Sequence, residues 1–127
     1  NDGKLDFAVI GTDSTTNYHL RIYKNNGNNN FSLITDLIAI SGSAKWGDYD
    51  NDGDLDLAVT GYAISNYRLI IYRNNGNNTF TNVCEPMGIN SGVVSGSAGS
   101  ENLDWGDYDN DGDLDLVVTG QYASGPG

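Results

Sequence analysis

Trp46-Gly47-Asp48-Tyr49-Asp50-Asn51-Asp52-Gly53-Asp54-Leu55-Asp56-Leu57-Ala58-Val59-Thr60-Gly61 is the stretch that decides how this chain folds. It returns almost letter for letter as Trp105-Gly106-Asp107-Tyr108-Asp109-Asn110-Asp111-Gly112-Asp113-Leu114-Asp115-Leu116-Val117-Val118-Thr119-Gly120. Its second half also opens the chain, as Asn1-Asp2-Gly3-Lys4-Leu5-Asp6-Phe7-Ala8-Val9-Ile10-Gly11. Each full copy sets five aspartates within nine residues, 48–56 and 107–115. Carboxylates this dense repel one another. A hard cation among them removes the repulsion, and Ca2+ prefers carboxylate and carbonyl oxygens.

The spacing assigns the roles. Asp48, Asp50 and Asp52 alternate, so a tightly curled loop turns all three carboxylates inward. Gly53 follows where the chain must bend sharply, and a positive φ is expected there. Asp54 is expected to offer its backbone carbonyl, because Lys4 replaces its side chain in the first copy. Asp56 closes the site. The first half of the loop is similar to an EF-hand loop, with oxygen ligands at alternating positions and glycine sixth. The closing acid, however, comes at the ninth position, and no helical pattern flanks the loop. Leu57-Ala58-Val59-Thr60 is instead a short apolar, β-favouring run ended by glycine, which reads as a strand. The expectation is a calcium loop between strands. A solvated acidic turn is the competing reading, but a turn has no need of alternating acids and a glycine kept twice.

Length and charge agree. At 127 residues the chain has the size of one domain. Hydrophobic residues make up 38%, low but compatible with a β fold that solvates part of its surface. The net charge of -11 is local in origin. Ten of the 17 acids lie in the two full copies, with Asp2 and Asp6 in the partial one. Asp13, Asp36, Glu85, Glu101 and Asp104 remain against six Lys and Arg, near balance. The acidity therefore reports cation sites and not a disordered acidic tail. Nucleic acid is excluded as a partner, because no basic patch is present to neutralise phosphates. Cys84 is the single cysteine, so no internal disulfide forms. No apolar run approaches the ~20 residues of a membrane helix, so no membrane insertion is expected.

Outward from the acidic copies, the repeat continues. The polar connection 12–17 matches 62–66. Tyr18-His19-Leu20-Arg21-Ile22-Tyr23-Lys24 matches Tyr67-Arg68-Leu69-Ile70-Ile71-Tyr72-Arg73, and its aromatic and β-branched content favours a strand. Asn25-Asn26-Gly27-Asn28-Asn29-Asn30 and Asn74-Asn75-Gly76-Asn77-Asn78-Thr79 read as turns. Residues 31–35 and 80–83 give short strands. Residues 43–46 and 103–105 read as the strands feeding the next acidic loop. One unit thus holds about four short strands and no helix. The closing acids recur after 50 residues (Asp6 to Asp56) and then 59 (Asp56 to Asp115). Four strands at that period is the pattern of propeller blades. The added length falls in 84–103, a Gly/Ser-rich stretch read as a surface loop, with an interdomain linker as its alternative.

These residues resemble a known family. Asp-x-Asp-x-Asp-Gly-x-x-Asp followed by a Leu-Ala-Val strand is similar to the FG-GAP/VCBS repeat of integrin α-chain propellers, of bacterial surface and secreted proteins, and of fungal propeller lectins. The likeness covers essentially the whole chain. Trp-Gly stands here where the family name expects Phe-Gly, and the wording of the loop is most similar to the bacterial members. The resemblance implies a ring of four-stranded antiparallel blades with Ca2+ between the first and second strands. Carried over, Asp48, Asp50, Asp52, Asp54 (through its carbonyl) and Asp56 form one metal site. Asp107, Asp109, Asp111, Asp113 (carbonyl) and Asp115 form another. Asn1, Asp2 and Asp6 supply only a partial site, since the first copy lacks its two leading aspartates.

On this reading the chain is an incomplete all-β propeller. Residues 1–45 are a partial blade of three strands, 46–104 a complete blade with a long connecting loop at 84–103, and 105–127 the start of a third. Further blades, from the same or another chain, are the expected structural partners. The expected function is a calcium-stabilised extracellular adhesion or recognition module that binds a glycan or a surface protein. A structural repeat of a surface filament or secreted scaffold, with no soluble ligand, is the alternative. The resemblance implies that ligands meet the face opposite the metal loops, residues 12–17, 36–45, 62–66 and 84–104. Trp46, Trp105, Tyr49 and Tyr108 recur around the acidic loops and are expected to pack between blades. No catalytic residue is expected, because the only histidine, His19, has Arg68 at the matching position of the next unit.

Overall fold

A computed structural model describes residues 2–15, 17–37, 41–63, 66–84 and 103–119. Among them there is no helix. Nine strands follow one another in the order of the sequence: β1 (Phe7–Thr12), β2 (Tyr18–Gly27), β3 (Asn30–Leu37), β4 (Ser41–Gly47), β5 (Asp56–Ala63), β6 (Asn66–Asn74), β7 (Phe80–Cys84), β8 (Leu103–Gly106) and β9 (Asp115–Val118). All pairings are antiparallel. The strands form three sheets, β1-β2-β3, β4-β5-β6-β7 and β8-β9. The all-β, antiparallel expectation holds. The connecting loop expected at 84–103 lies, beyond its ends, outside the described residues.

The Asn-rich segments differ from their reading as turns throughout. β2 runs on through Asn25 and Gly27, which pair with Phe31 and Asn30. The reversal is confined to Asn28 and Asn29, both left-handed at φ 53° and 58°. Two consecutive left-handed residues match the twist of the flanking strands, and asparagine tolerates that region. In the second unit the turn is wider, closed by the Asn75 amide donating to the Thr79 carbonyl at 3.0 Å. The β1–β2 turn is held by Asp13, whose carboxylate accepts from the Thr15 amide and hydroxyl at 2.8 and 2.7 Å.

Packing explains the continuous apolar run of β5. Alternate residues of a strand face opposite sides of its sheet. Leu57 and Val59, with Ile70 and Tyr72 of β6, meet Leu20 and Ile22 of the first sheet in one buried cluster. Ala58 and Leu69 meet Leu103 of the third sheet in another, bordered by Trp105, Leu116 and Val118. The four-stranded sheet is therefore covered on both faces, and no polar residue interrupts Leu57-Ala58-Val59.

Trp46 packs into the first cluster, its ring 6.2 Å from that of Phe80. Trp105 lies against the second sheet. Its indole N–H donates to the Lys45 carbonyl at 3.3 Å, and its ring stacks on Tyr49 at 6.5 Å and 13°. Gly47 makes room for it: a β-carbon there would stand 2.6 Å from the Trp105 ring. Gly47→Ala is expected to lower stability by about 1–3 kcal/mol through overpacking. Chemical denaturation checks this, with tryptophan quenching by acrylamide rising because β8 is pushed off. The equivalent residue of the third sheet, Gly106, has nothing within 4 Å of a built β-carbon, and Tyr108 beside it is 81% exposed. Tyr108 thus departs from the expected packed role, because no described residue stands over it as Trp105 stands over Tyr49.

Candidate metal centre

Both full acidic copies fold into the same curl. The first joins β4 to β5 and the second joins β8 to β9. Asn51 and Gly53 are left-handed at φ 58° and 90°, and Asn110 and Gly112 repeat this at 61° and 96°. The Asp48 carboxylate accepts from the amides of Asp52 at 3.1 Å and Gly53 at 3.0 Å. Asp107 accepts from Asp111 and Gly112 at the same two distances. Asp52 accepts from the Asp54 amide at 2.8 Å, and Asp111 from the Asp113 amide at 2.9 Å. The closing acids are tied back likewise, Asp56 to the Tyr49 amide at 3.2 Å and Asp115 to the Tyr108 amide at 3.1 Å.

This curl brings three carboxylates together in each copy. Oxygens of Asp48, Asp50 and Asp56 lie within 4.8 Å of one another, as do those of Asp107, Asp109 and Asp115. Asp52, Asp54, Asp111 and Asp113 are not in these groups of carboxylate oxygens. The Asp54 side chain runs beside Gly76, where its Oδ2 would stand 2.7 Å from a built β-carbon.

Asp56 is the most constrained member. It is fully buried at the head of β5. Its second oxygen accepts from the Asn74 amide at 2.7 Å. Burial pushes its carboxyl above the usual range; the amides of Asn74 and Tyr49 oppose this, and Asp50 and Asp52 add to it by repulsion. A buried carboxylate facing other carboxylates needs a counter-charge. The donor set is all oxygen and the ligands are hard, which fits Ca2+. Asp48, Asp50 and Asp56, and in the second loop Asp107, Asp109 and Asp115, are the side chains positioned to hold such an ion.

The partial copy is built differently. Asp6 accepts from the Asn25 amide at 2.8 Å, as Asp56 does from Asn74. Asp2, however, receives the Lys4 amide at 3.1 Å and the Lys4 ammonium at 3.3 Å. The side chain of this loop's own lysine therefore neutralises Asp2. Among the described residues no third acid joins Asp2 and Asp6, and Asn1 lies outside them.

The spacing of the acids did not single out two asparagine pairs. Asn25, near the end of β2, and Asn74, at the end of β6, donate their side-chain amides to the carbonyls of Leu5 and Leu55, both at 3.2 Å. Their recurrence at one place in both units was the available signal. Asn51 and Asn110, which stand between the alternating aspartates, each carry a left-handed bend.

At the other end of the first sheet, His19 stands between two acids, with Nε2 3.2 Å from Asp13 and Nδ1 2.9 Å from Asp36. Arg21 Nε donates to Asp36 at 2.9 Å. The Thr15 hydroxyl foremost, with the Asn17 amide and His19, holds the Asp13 carboxyl well below its usual range. Each imidazole nitrogen already faces a carboxylate, the arrangement of a structural ion pair. Much of the face read as ligand-binding, including residues 38–40, 64–65 and 85–102, lies outside the described residues.

The model of the FG-GAP-like repeat matches residues 1–59 and again residues 48–118. The chain belongs to the FG-GAP-like repeat family. Its two matches overlap over residues 48–59, which include the first full acidic loop. FG-GAP-like repeats form non-enzymatic structural and adhesion modules, typically in extracellular proteins, and often bind Ca2+. No helix among the described residues is long and apolar enough to cross a membrane. No curated protein and no solved structure matches this FG-GAP-like chain.

Proposed function

We propose that this chain is a calcium-stabilised recognition or adhesion module working outside the cell, built as blades of a propeller. One observation carries the reading. Two loops 59 residues apart hold the same amide bonds, the same left-handed residues and the same three-carboxylate cluster. Such duplication has a physical purpose if each cluster holds an ion that pins its two strands together. The sheets β1-β2-β3, β4-β5-β6-β7 and β8-β9 then correspond to a partial blade, a complete blade and the start of a third. Asp48, Asp50, Asp52, the Asp54 carbonyl and Asp56 would ligate one ion, and Asp107, Asp109, Asp111, the Asp113 carbonyl and Asp115 the other. The partner bound at the opposite face is a glycan or a surface protein.

A second reading, a structural repeat of a filament or scaffold, is favoured by the bare outer faces. Phe7, Val9, Phe31 and Leu33 of the first sheet are each more than a third exposed. By repeat position Phe7 and Val9 match Leu57 and Val59, which the neighbouring sheet covers completely. A further unit of the same repeat fits that face. Titration calorimetry is expected to find two Ca2+ per chain, and a chain that binds none would end both readings. A glycan array run with and without Ca2+ separates them: discrete calcium-dependent hits mark the recognition module, and a blank array with concentration-dependent light scattering marks the scaffold.

A further inference from the structure

The two acidic loops are joined to each other. Asn51 donates its side-chain amide to Asp113 Oδ1 at 2.7 Å, with the Gly112 carbonyl at 3.4 Å. Both ends of this bond lie inside the candidate centres. Asn51 sits between Asp50 and Asp52, and Asp113 is the residue whose carbonyl is expected to face the second ion. Asn51 is left-handed, so its position in space is set by the same bend that gathers Asp48, Asp50 and Asp56. The Asp113 backbone is set in turn by its amide bond to Asp111. Asn110 occupies the matching place in the second loop and has no cross-loop partner among the described residues.

We propose that the Asn51–Asp113 hydrogen bond is a positioning link that couples cation occupancy of the two loops. This rests on the calcium reading above. An ion that fixes either loop fixes one end of the link, and less ordering entropy then remains to be lost when the other loop fills. Such coupling is reciprocal: each loop raises the other's affinity by the same factor.

The test uses terbium luminescence and calcium titration on the whole chain. Disabling the second loop with Asp109→Asn is expected to weaken binding at the first by about fivefold or more, the lower end of typical couplings. Asn51→Gly keeps the left-handed bend, since glycine adopts it freely, but removes the link. In that background the first loop should no longer respond to Asp109→Asn. Asn110→Gly is the matched control and should leave the coupling intact. Equal coupling with and without Asn51 would overturn the proposal, as would no coupling in the parent chain. Hydrogen exchange in a chelator reads the link without any ion: Asn51→Gly should speed exchange at the amides of Gly112 and Asp113, and unchanged rates would overturn it. Absence of terbium and calcium binding together with faster exchange would condemn the calcium reading and the coupling, leaving only the link.

Discussion

A chelator is expected to lower the melting temperature of this chain by at least about 10 °C. A ligand bound only by the folded state stabilises it by about 2.7 kcal/mol at a hundredfold excess over its dissociation constant, so two sites contribute about 5 kcal/mol. In a domain of this size each kcal/mol moves the midpoint by several degrees. Circular dichroism melts with calcium and with chelator give the difference. A shift within error under ample calcium would remove the physical basis for the loops. The pH dependence in chelator has a definite sign. Burial raises the folded carboxyl of Asp56 above its ordinary value of 3.8. Between that value and the raised one the folded state binds more protons than the unfolded state. Stability contributed by this group is thus fully present below 3.8 and falls as pH rises through the folded value. Calcium should remove that decline, because the ion takes over from the proton as counter-charge.

Leu57→Ala is expected to cost about 2–5 kcal/mol, the range for truncating a fully buried leucine. Leu57 is completely buried and joins the first sheet to the second. The loss is a large share of the 5–15 kcal/mol by which typical domains are stable. Leu55, two residues earlier, is 50% exposed, and its truncation should stay within about 0.5 kcal/mol. Urea denaturation of both variants in saturating calcium checks the contrast. Equal costs would mean that the sheet-on-sheet cluster is not what holds the units together.

The acidic loops were the most legible part of the chain. Their acids sit close in sequence, so alternation and glycine placement alone anticipate the bend at Gly53. The strands after them were legible because apolar runs of four or five residues ended by glycine have few other readings. The course of β2 through Asn25 and Gly27 was not, because asparagine serves both a strand end and a turn. Its choice depends on Asp6 and Leu5, which take its two amides. The Asn51–Asp113 bond was invisible for a different reason. It joins residues 62 positions apart, and only the stacking of the second sheet on the third brings them within reach. The clustering of His19 with Asp13 and Asp36 likewise depends on the register of β1, β2 and β3.

The seat that Gly47 provides for Trp105 has a consequence for symmetry. The surface that receives the indole and the surface that supplies it belong to opposite faces of a unit. Two copies meeting by this contact therefore cannot be related by a two-fold axis, which demands that each patch meet itself. On the propeller reading proposed above, each further unit would add with one polarity, with Gly106 and Tyr108 on the accepting side. Only two outcomes satisfy every seat: a rotation that returns to its start and closes, or a screw that grows without limit.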